Sequence, residues 1–393
     1  MQSAFLAIAV LSPVLLTGCG SESPATKSVT AVSLMPPDGA FGSVDTDFAV
    51  EVAALTAGSL IIEPRTLAES DIALTELFDA VDAGRVPLAI APPAAYWIDG
   101  EPLSIGPLLV SGIPFGFGAE EFMAWYYAAG GQELVQDIVD RRSLHGNVLV
   151  LPIAVTAGEP AGFFVDAVAD DPDVFNASGI TYRINLLGAK AMRVAFPNLD
   201  IVDSPPGVVP VDAMCSADIQ GAELGTLSVY PVLFFDRFSH ERGDNVIECG
   251  FRHLYLSSWQ QPMLSNWVII NRSFFAALAP HEQQAIRSAA MANVIRTLAN
   301  DLARSAGTID RVVSAGGTIH AALPPAVLQR LRDAVVEVLQ RESDADPDFA
   351  AIVNSLRAFA KDHHATLLYD DVPADERFNL FPGWRPDVAI VAD

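Results

Sequence analysis

The sequence predicts an α/β protein built as two lobes, and three observations carry that expectation. The chain has 393 residues, more than one hydrophobic core usually supports. Short apolar runs alternate with segments of helical spacing from its beginning, the pattern of β-α-β units. Toward its end one helix, Pro280 to Gly307, is much longer than its neighbours.

Taken in order, Val29 to Leu34 and Ser59 to Glu63 read as strands flanking a helix, Asp45 to Leu55. Thr75 to Ala83 is a short helix closed by Gly84, and Val86 to Ala91 is a strand running into the loop Pro92 to Trp97. Loops of this kind lie at the carboxyl ends of parallel strands, where ligands bind. A helix from Ala119 to Ala129 ends at Gly130-Gly131, and another begins at Gln132. Gly146 to Val155 is a near-continuous apolar strand of the sort buried on both faces, and it marks the crossing into the second lobe. Beyond it come a strand within Ser178 to Ile184, helices Gly188 to Phe196 and Val211 to Gly221, and a strand Ser228 to Phe235. A return strand, Phe251 to Ser257, and an apolar run, Asn266 to Asn271, lead to the long helix. Pro280 sits in its first turn, apolar residues recur at Ile286, Ala289, Ala290, Val294, Leu298 and Leu302, and Gly307 ends it. Amphipathic helices follow from Pro325 and over Phe349 to His363. The expected division is residues 29–150 for the first lobe, 151–240 for the second, 241–340 shared, and 341–393 a C-terminal helix and tail.

The chain carries 48 acidic against 23 basic residues, a formal charge of −25. With no Lys/Arg cluster, this excludes nucleic-acid binding and electrostatic docking on anionic lipid. Residues 1–18 are apolar and small, too short for a membrane span, and end in Leu16-Thr17-Gly18-Cys19. That ending resembles a bacterial lipobox, although no Lys or Arg precedes the apolar run. Cleavage before Cys19 would leave a lipidated cysteine and a flexible tether over residues 19–28. Cys215 and Cys249 then remain in a compartment that permits disulfides. Joined, they would close a loop of about 33 residues worth ~3–4 kcal/mol; two separately buried thiols are the alternative.

Catalytic motifs are missing. His281-Glu282 lacks the second histidine of a zincin, and there is no G-x-S-x-G elbow, P-loop or zinc-like Cys/His spacing. Arg183 is the better signal, because it lies in a strand-like run where a guanidinium needs a partner. Its planar fork matches a carboxylate through two parallel hydrogen bonds, so it either grips an acidic ligand or is a salt-bridged strand arginine. Glu159 and Glu223 lie near glycines in loops after apolar elements; converging near Arg183, they could hold a hard cation such as Na⁺ or Ca²⁺. Tyr96, Trp97, Phe163 and Trp259 could wall a cleft, although singly each is more often core.

Several of these segments together resemble a family. Leu77-Phe78-Asp79-Ala80-Val81, Tyr96-Trp97, Pro114-Phe115-Gly116, Trp125-Tyr126-Tyr127, Gly130-Gly131-Gln132-Glu133-Leu134 and Tyr182-Arg183-Ile184 look like the periplasmic solute-binding subunits of TRAP transporters, closest to the branch that binds 2-oxo acids and lactate. The resemblance runs from about Ala31 to Leu339. It implies a two-lobed periplasmic binding protein fold, α/β, with a long helix spanning both lobes that close over a small organic acid. It also implies that Arg183 grips the acid's carboxylate. In that branch a cation bridges protein and ligand, and the matching positions are Glu159, Glu223 and Gln261. Three departures fall in the site: Glu159 stands where glutamine is expected, Gln261 where glutamate is expected, and Leu224 where tryptophan is expected. The carboxylate count stays at two, and Pro160 stiffens the loop beside Glu159.

The resulting expectation is a lipid-anchored extracytoplasmic receptor, not an enzyme. It would capture a 2-oxo or 2-hydroxy carboxylate, with or without a calcium or sodium ion, and hand it to membrane subunits of the transporter. Removing Arg183 is expected to abolish binding without unfolding the protein. The rivals are a binding lipoprotein presenting its ligand to a sensor and a metal-dependent enzyme on the same fold. The tail from Thr366 to Asp393 carries Phe378, Leu380, Phe381 and Trp384 among prolines, and the resemblance leaves a homodimer open.

Overall fold

The structure, a computed structural model, describes residues 26–34, 43–203, 210–367 and 390–391. The leader, Cys19 and the aromatic tail residues Phe378 to Trp384 lie outside the described residues. Two sheets form the cores of the two lobes. The first runs Leu60–Thr66, Lys27–Ser33, Leu88–Ala91, Leu264–Asn271, Val148–Thr156. Its first three strands are parallel, and Leu264–Asn271 is antiparallel to both of its neighbours. Val148–Thr156 is buried along its whole length, as its unbroken apolar run requires. Pro152 has no N–H to give a ladder, and it sits where the register with Leu264–Asn271 shifts between Asn266 and Trp267, the kind of irregularity that tolerates proline.

The second sheet runs Ile390–Val391, Thr318–His320, His253–Tyr255, Gly162–Phe164, Gly221–Ala222, Thr181–Arg183, Asp200–Val202. Every one of its strands is two or three residues long. The chain passes between the sheets after Thr156, again before Leu264, and once more along the helix Pro280–Ser314. Glu282 anchors the start of that helix. Its carboxylate accepts from the Ala279 N–H at 2.8 Å, from Lys27 Nζ at 2.6 Å and from Ser59 Oγ at 3.1 Å, capping the helix against the first sheet. The His281-Glu282 pair is therefore structural.

Several sequence expectations are corrected. The long helix does not end at Gly307; it continues to Ser314 and stops before Gly316, whose φ is +89°. Burial of Thr308 and Val312 outweighs the cost of a mid-helix glycine, about 1 kcal/mol. Along the same helix, Asp301 takes a buried position while Leu302, expected on the apolar stripe, is exposed. Ser228 to Phe235 is not a strand: a π-helical turn, Pro231–Asp236, leads into a helix, Arg237–Arg242. Tyr230, Phe234 and Phe238 recur every four residues and their rings pack at 4.7 and 6.1 Å, a helical period hidden in an apolar run. The helix expected over Val211 to Gly221 spans only Val211–Cys215, since Ala217 turns the chain with φ +63° and Gly221–Ala222 is a strand. Cys215 and Cys249 are joined, with Cα atoms 4.8 Å apart, which removes the alternative of separate thiols.

Candidate functional site

Four backbone segments of the second lobe bring the site together. Arg183 ends its strand and registers against Ala222. Glu223 follows at once, and its N–H donates to the Arg183 carbonyl at 3.0 Å. Gly162–Phe164 lies antiparallel on the other side of Gly221–Ala222. Gly162 has φ +114°, and a Cβ there would collide with the Ala222 carbonyl and lie 3.0 Å from Glu223 Cα. Glycine is thus what lets the segment carrying Glu159 approach the one carrying Glu223. The loop before Leu264 closes the set: the Glu159 N–H donates to the Gln261 carbonyl at 2.9 Å. Gln260 Nε2 donates to the carbonyls of Glu159 and Pro160 at 3.0 and 2.7 Å.

The side chains then meet directly. Gln261 Nε2 donates to Glu159 Oε2 at 2.8 Å and to Glu223 Oε1 at 3.1 Å. Arg183 Nη1 donates to Glu223 Oε2 at 3.1 Å and to the Glu223 carbonyl, and the Gly225 N–H reaches Glu223 Oε1 at 3.2 Å. The cluster is sealed, with Arg183, Glu159, Glu223 and Gln261 at 1, 4, 0 and 1 % exposure. Burial pushes the Glu159 carboxyl well above the ordinary range; the charge of Glu223 and a hydrogen bond with it add to this, and Arg183 opposes it. A lone guanidinium cannot neutralise two buried carboxylates, which is why the Glu159 carboxyl holds its proton beyond the ordinary range.

Chemically, the arrangement offers a guanidinium to an anion and side-chain oxygens to a hard cation. Glu159 and Glu223 supply carboxylate oxygens of the kind such ions take; Gln261 turns its Nε2 to both, so its carboxamide oxygen would join them only with that side chain turned over. Beside them, the buried Oε1 of Gln260 and the Tyr230 hydroxyl lack a hydrogen-bond partner among the described residues. No group of three His, Cys, Asp or Glu suited to a metal occurs among the described residues, so carboxamide oxygens would have to complete any such site.

The remaining expected residues are placed less directly. Trp259 adjoins Gln260 in sequence, its carbonyl accepts from the Phe115 N–H at 2.7 Å, and its buried indole N–H has no partner among the described residues. Tyr96 is buried in the first lobe, its hydroxyl donating to the Ala91 carbonyl at 3.1 Å and its ring 5.5 Å from Phe78. Trp97 is half-buried in a short hairpin against Pro102. Phe163 packs in the second lobe's core between Tyr230 and Phe234, at 5.6 and 5.1 Å, in the apolar cluster that also takes Leu224. Sequence reasoning missed Gln260, which carries no motif, and Asp301, whose signal was a small polar residue on the buried face of an amphipathic helix.

No family model matches the chain. Over 313 residues it is 24% identical to a monocarboxylate 2-oxoacid-binding periplasmic protein of Nostoc sp., covering 80% of this chain and 78% of that one. Among solved structures it is similar to a TRAP periplasmic solute-binding protein of Colwellia psychrerythraea with bound calcium and pyruvate (TM-score 0.72, 18% identity, 88% of this chain and 98% of that one). A second, from Pseudoalteromonas atlantica with bound sodium and pyruvate, gives TM-score 0.71 at 19% identity over 88% and 97% of the two chains. A third, from Bordetella bronchiseptica with co-purified calcium and picolinate, gives 0.70 at 20% identity over 88% and 95%. The chain therefore has the two-lobed fold of the TRAP transporter solute-binding proteins, the family its motifs resemble.

Proposed function

We propose that the protein is the extracytoplasmic solute-binding subunit of a TRAP-type transporter and captures a small 2-oxo or 2-hydroxy monocarboxylate. The observation that carries this is the sealed convergence of Arg183 with Glu159, Glu223 and Gln261 in the second lobe. Groups so buried meet a ligand only when the lobes part, so capture is a hinge closure. On binding, the Arg183 fork turns part of its hydrogen bonding from Glu223 to the acid's carboxylate. The unpartnered indole N–H of Trp259 offers a further donor, and Trp97 closes from the first lobe.

A calcium or sodium ion held by Glu159, Glu223 and Gln261 would supply the positive charge that lets an anion sit beside two carboxylates. The exchange of glutamine and glutamate between positions 159 and 261 preserves that charge balance. Similarity to receptors of calcium- or sodium-bound pyruvate supports the ligand class. Lipidation at Cys19 would hold the protein beside the membrane subunits it serves.

Thermal unfolding of the domain without its leader, against 2-oxo acids, 2-hydroxy acids, dicarboxylates and sugar acids with calcium, sodium or chelator, tests the reading. A ligand at 100 times its Kd adds about 2.7 kcal/mol, several degrees. A shift for a monocarboxylate supports it, and loss of that shift with chelator supports the calcium. Response only to sugar acids or dicarboxylates, or to nothing, overturns the ligand class.

A further inference from the structure

One buried acid lies outside the cluster and touches both of its halves. Along the helix Pro280–Ser314, polar residues on the buried face hold the chain as it leaves the first lobe. Asn293 Nδ2 donates to the Ile153 carbonyl at 2.9 Å, Thr297 Oγ1 accepts from the Val155 N–H at 3.2 Å, and Asp301 Oδ2 accepts from the Ala157 N–H at 3.0 Å. One helical turn per step thus matches every second residue of the extended segment that ends at Glu159. The other oxygen, Asp301 Oδ1, accepts from Thr226 Oγ1 at 2.6 Å and from Ser228 Oγ. These residues belong to the loop that follows Glu223. Further along the helix, Thr308 Oγ1 donates to the Leu227 carbonyl at 2.5 Å and so holds that same loop alone.

Of these four helix residues, only Asp301 holds the segment carrying Glu159 and the loop carrying Glu223 at once. It is 4 % exposed, and no ion pair with it occurs among the described residues. A buried carboxylate sustained by hydrogen bonds alone is costly. A purely structural acceptor could be a threonine or asparagine, as at the neighbouring rungs.

We propose that Asp301 is a positioning residue of the ligand site: from the helix shared by both lobes it fixes the spacing between Glu159 and Glu223, so that lobe movement and the geometry of the two carboxyls are one event. The proposal rests on the binding function proposed above, and it adds a residue that touches neither ligand nor cation.

The test compares Asp301→Asn with Thr308→Val. Asparagine has one oxygen where aspartate has two: turned to the hydroxyls it sets an NH₂ against the Ala157 N–H, and turned to that N–H it exchanges two charge-assisted bonds from the hydroxyls for an NH₂, so either way one arm of the clamp is weakened. Valine removes a bond from the same helix to the same loop and leaves the clamp intact. Hydrogen exchange without ligand is read at the Glu159 and Gly225 amides, which bond to Gln261 and to Glu223 itself. They should exchange about tenfold faster in Asp301→Asn and at the wild-type rate in Thr308→Val. Calorimetry with pyruvate and calcium should show affinity falling about 10-fold or more in Asp301→Asn and unchanged in Thr308→Val, whatever the two do to Tm. Wild-type exchange at both amides in Asp301→Asn, or equal losses of affinity in the two variants, overturns the proposal. If the wild type binds no monocarboxylate, the binding function fails and the exchange comparison alone decides this one. Should Asp301→Asn not fold, Ser228→Ala carries the same comparison on the other arm.

Discussion

The two sheets of this protein are built on opposite principles. The first has strands of four to nine residues, and two of them, Leu264–Asn271 and Val148–Thr156, are buried almost throughout. The second is stitched from strands of two and three residues, and among them lie a buried arginine, two buried glutamates and a disulfide. Long apolar strands gain burial with every residue and so carry stability. Short ones gain little, which leaves their ends free to place charged side chains at close range. The first lobe reads as frame and the second as site, and the difference can be attacked from either side.

The largest effect should come from Arg183. Its pair with Glu223 is buried on both sides, and removing one partner of such a pair costs about 3–5 kcal/mol. The expectation from sequence, that removing Arg183 abolishes binding without unfolding the protein, therefore gains a cost: Arg183→Met should lose monocarboxylate binding and also unfold at markedly lower temperature. Calorimetry and thermal unfolding on one sample check both. Affinity close to wild type would end the reading of Arg183 as the carboxylate grip.

In the first lobe, Ile269→Ala removes a fully buried side chain from the interior strand Leu264–Asn271. A cost of about 2–5 kcal/mol follows from lost burial and the cavity. Affinity for the acid, measured well below the new Tm, should stay at the wild-type value, because nothing at position 269 reaches the site. A variant that bound more weakly while fully folded would show that frame and site are not separable in this way.

The first lobe has buried acids of its own, Asp82 and Asp45 among them. Asp45, in the first turn of the helix Val44–Leu55, accepts from Ser33 Oγ through one oxygen and leaves the other without a partner. Burial pushes its carboxyl from 3.8 up to about 7, the bond to Ser33 opposing. Below about pH 4 both folded and unfolded chains hold the proton, and burial of the group costs nothing. As the pH rises to 7 the unfolded chain releases that proton while the folded one resists, so stability falls across this window. At ~1.4 kcal/mol per pH unit the loss reaches a few kcal/mol. Asp45→Asn should therefore raise Tm at pH 8 and leave it nearly unchanged at pH 4. An equal gain at both pH values would mean that packing, and not the proton, sets the effect.

The same contrast explains what could be read in the sequence. Val148–Thr156 and Leu264–Asn271 announce themselves as unbroken apolar runs, and the first helices by their spacing. A strand of three residues has no period to detect, so Thr181–Arg183 was legible only as a strand-like run after a turn, within Ser178 to Ile184, and Gly221–Ala222 not at all. Glu159 and Glu223 stood out by their place beside glycines and Gln261 by resemblance, and the three side chains do meet. Gln260 carries no signal, because its work is done on the backbone of Glu159 and Pro160. Tyr230 and Phe234 were mistaken for strand residues because aromatic runs satisfy either period, and only packing around Phe163 settles which. Leu302 and Asp301 were exchanged between surface and core since an apolar stripe is a weaker guide where a helix leaves one lobe for another.

The smallest effect concerns that passage. Gly307 lies one residue before Thr308, which holds the second lobe's loop, and six after Asp301. A Cβ at position 307 would meet no atom within 4 Å, and the backbone there is helical. Alanine should stabilise the folded chain by about 0.5–1 kcal/mol through the unfolded state and helix propensity. If the helix moves as a rigid rod when the lobes close, Gly307→Ala gains that stability and keeps its affinity for pyruvate. If the glycine is where the rod bends, the variant gains stability in one lobe arrangement only, and Tm and affinity then move in opposite directions. Measuring both on Gly307→Ala thus tells whether the frame reaches the site stiffly, through Asp301, or with a joint just beyond it.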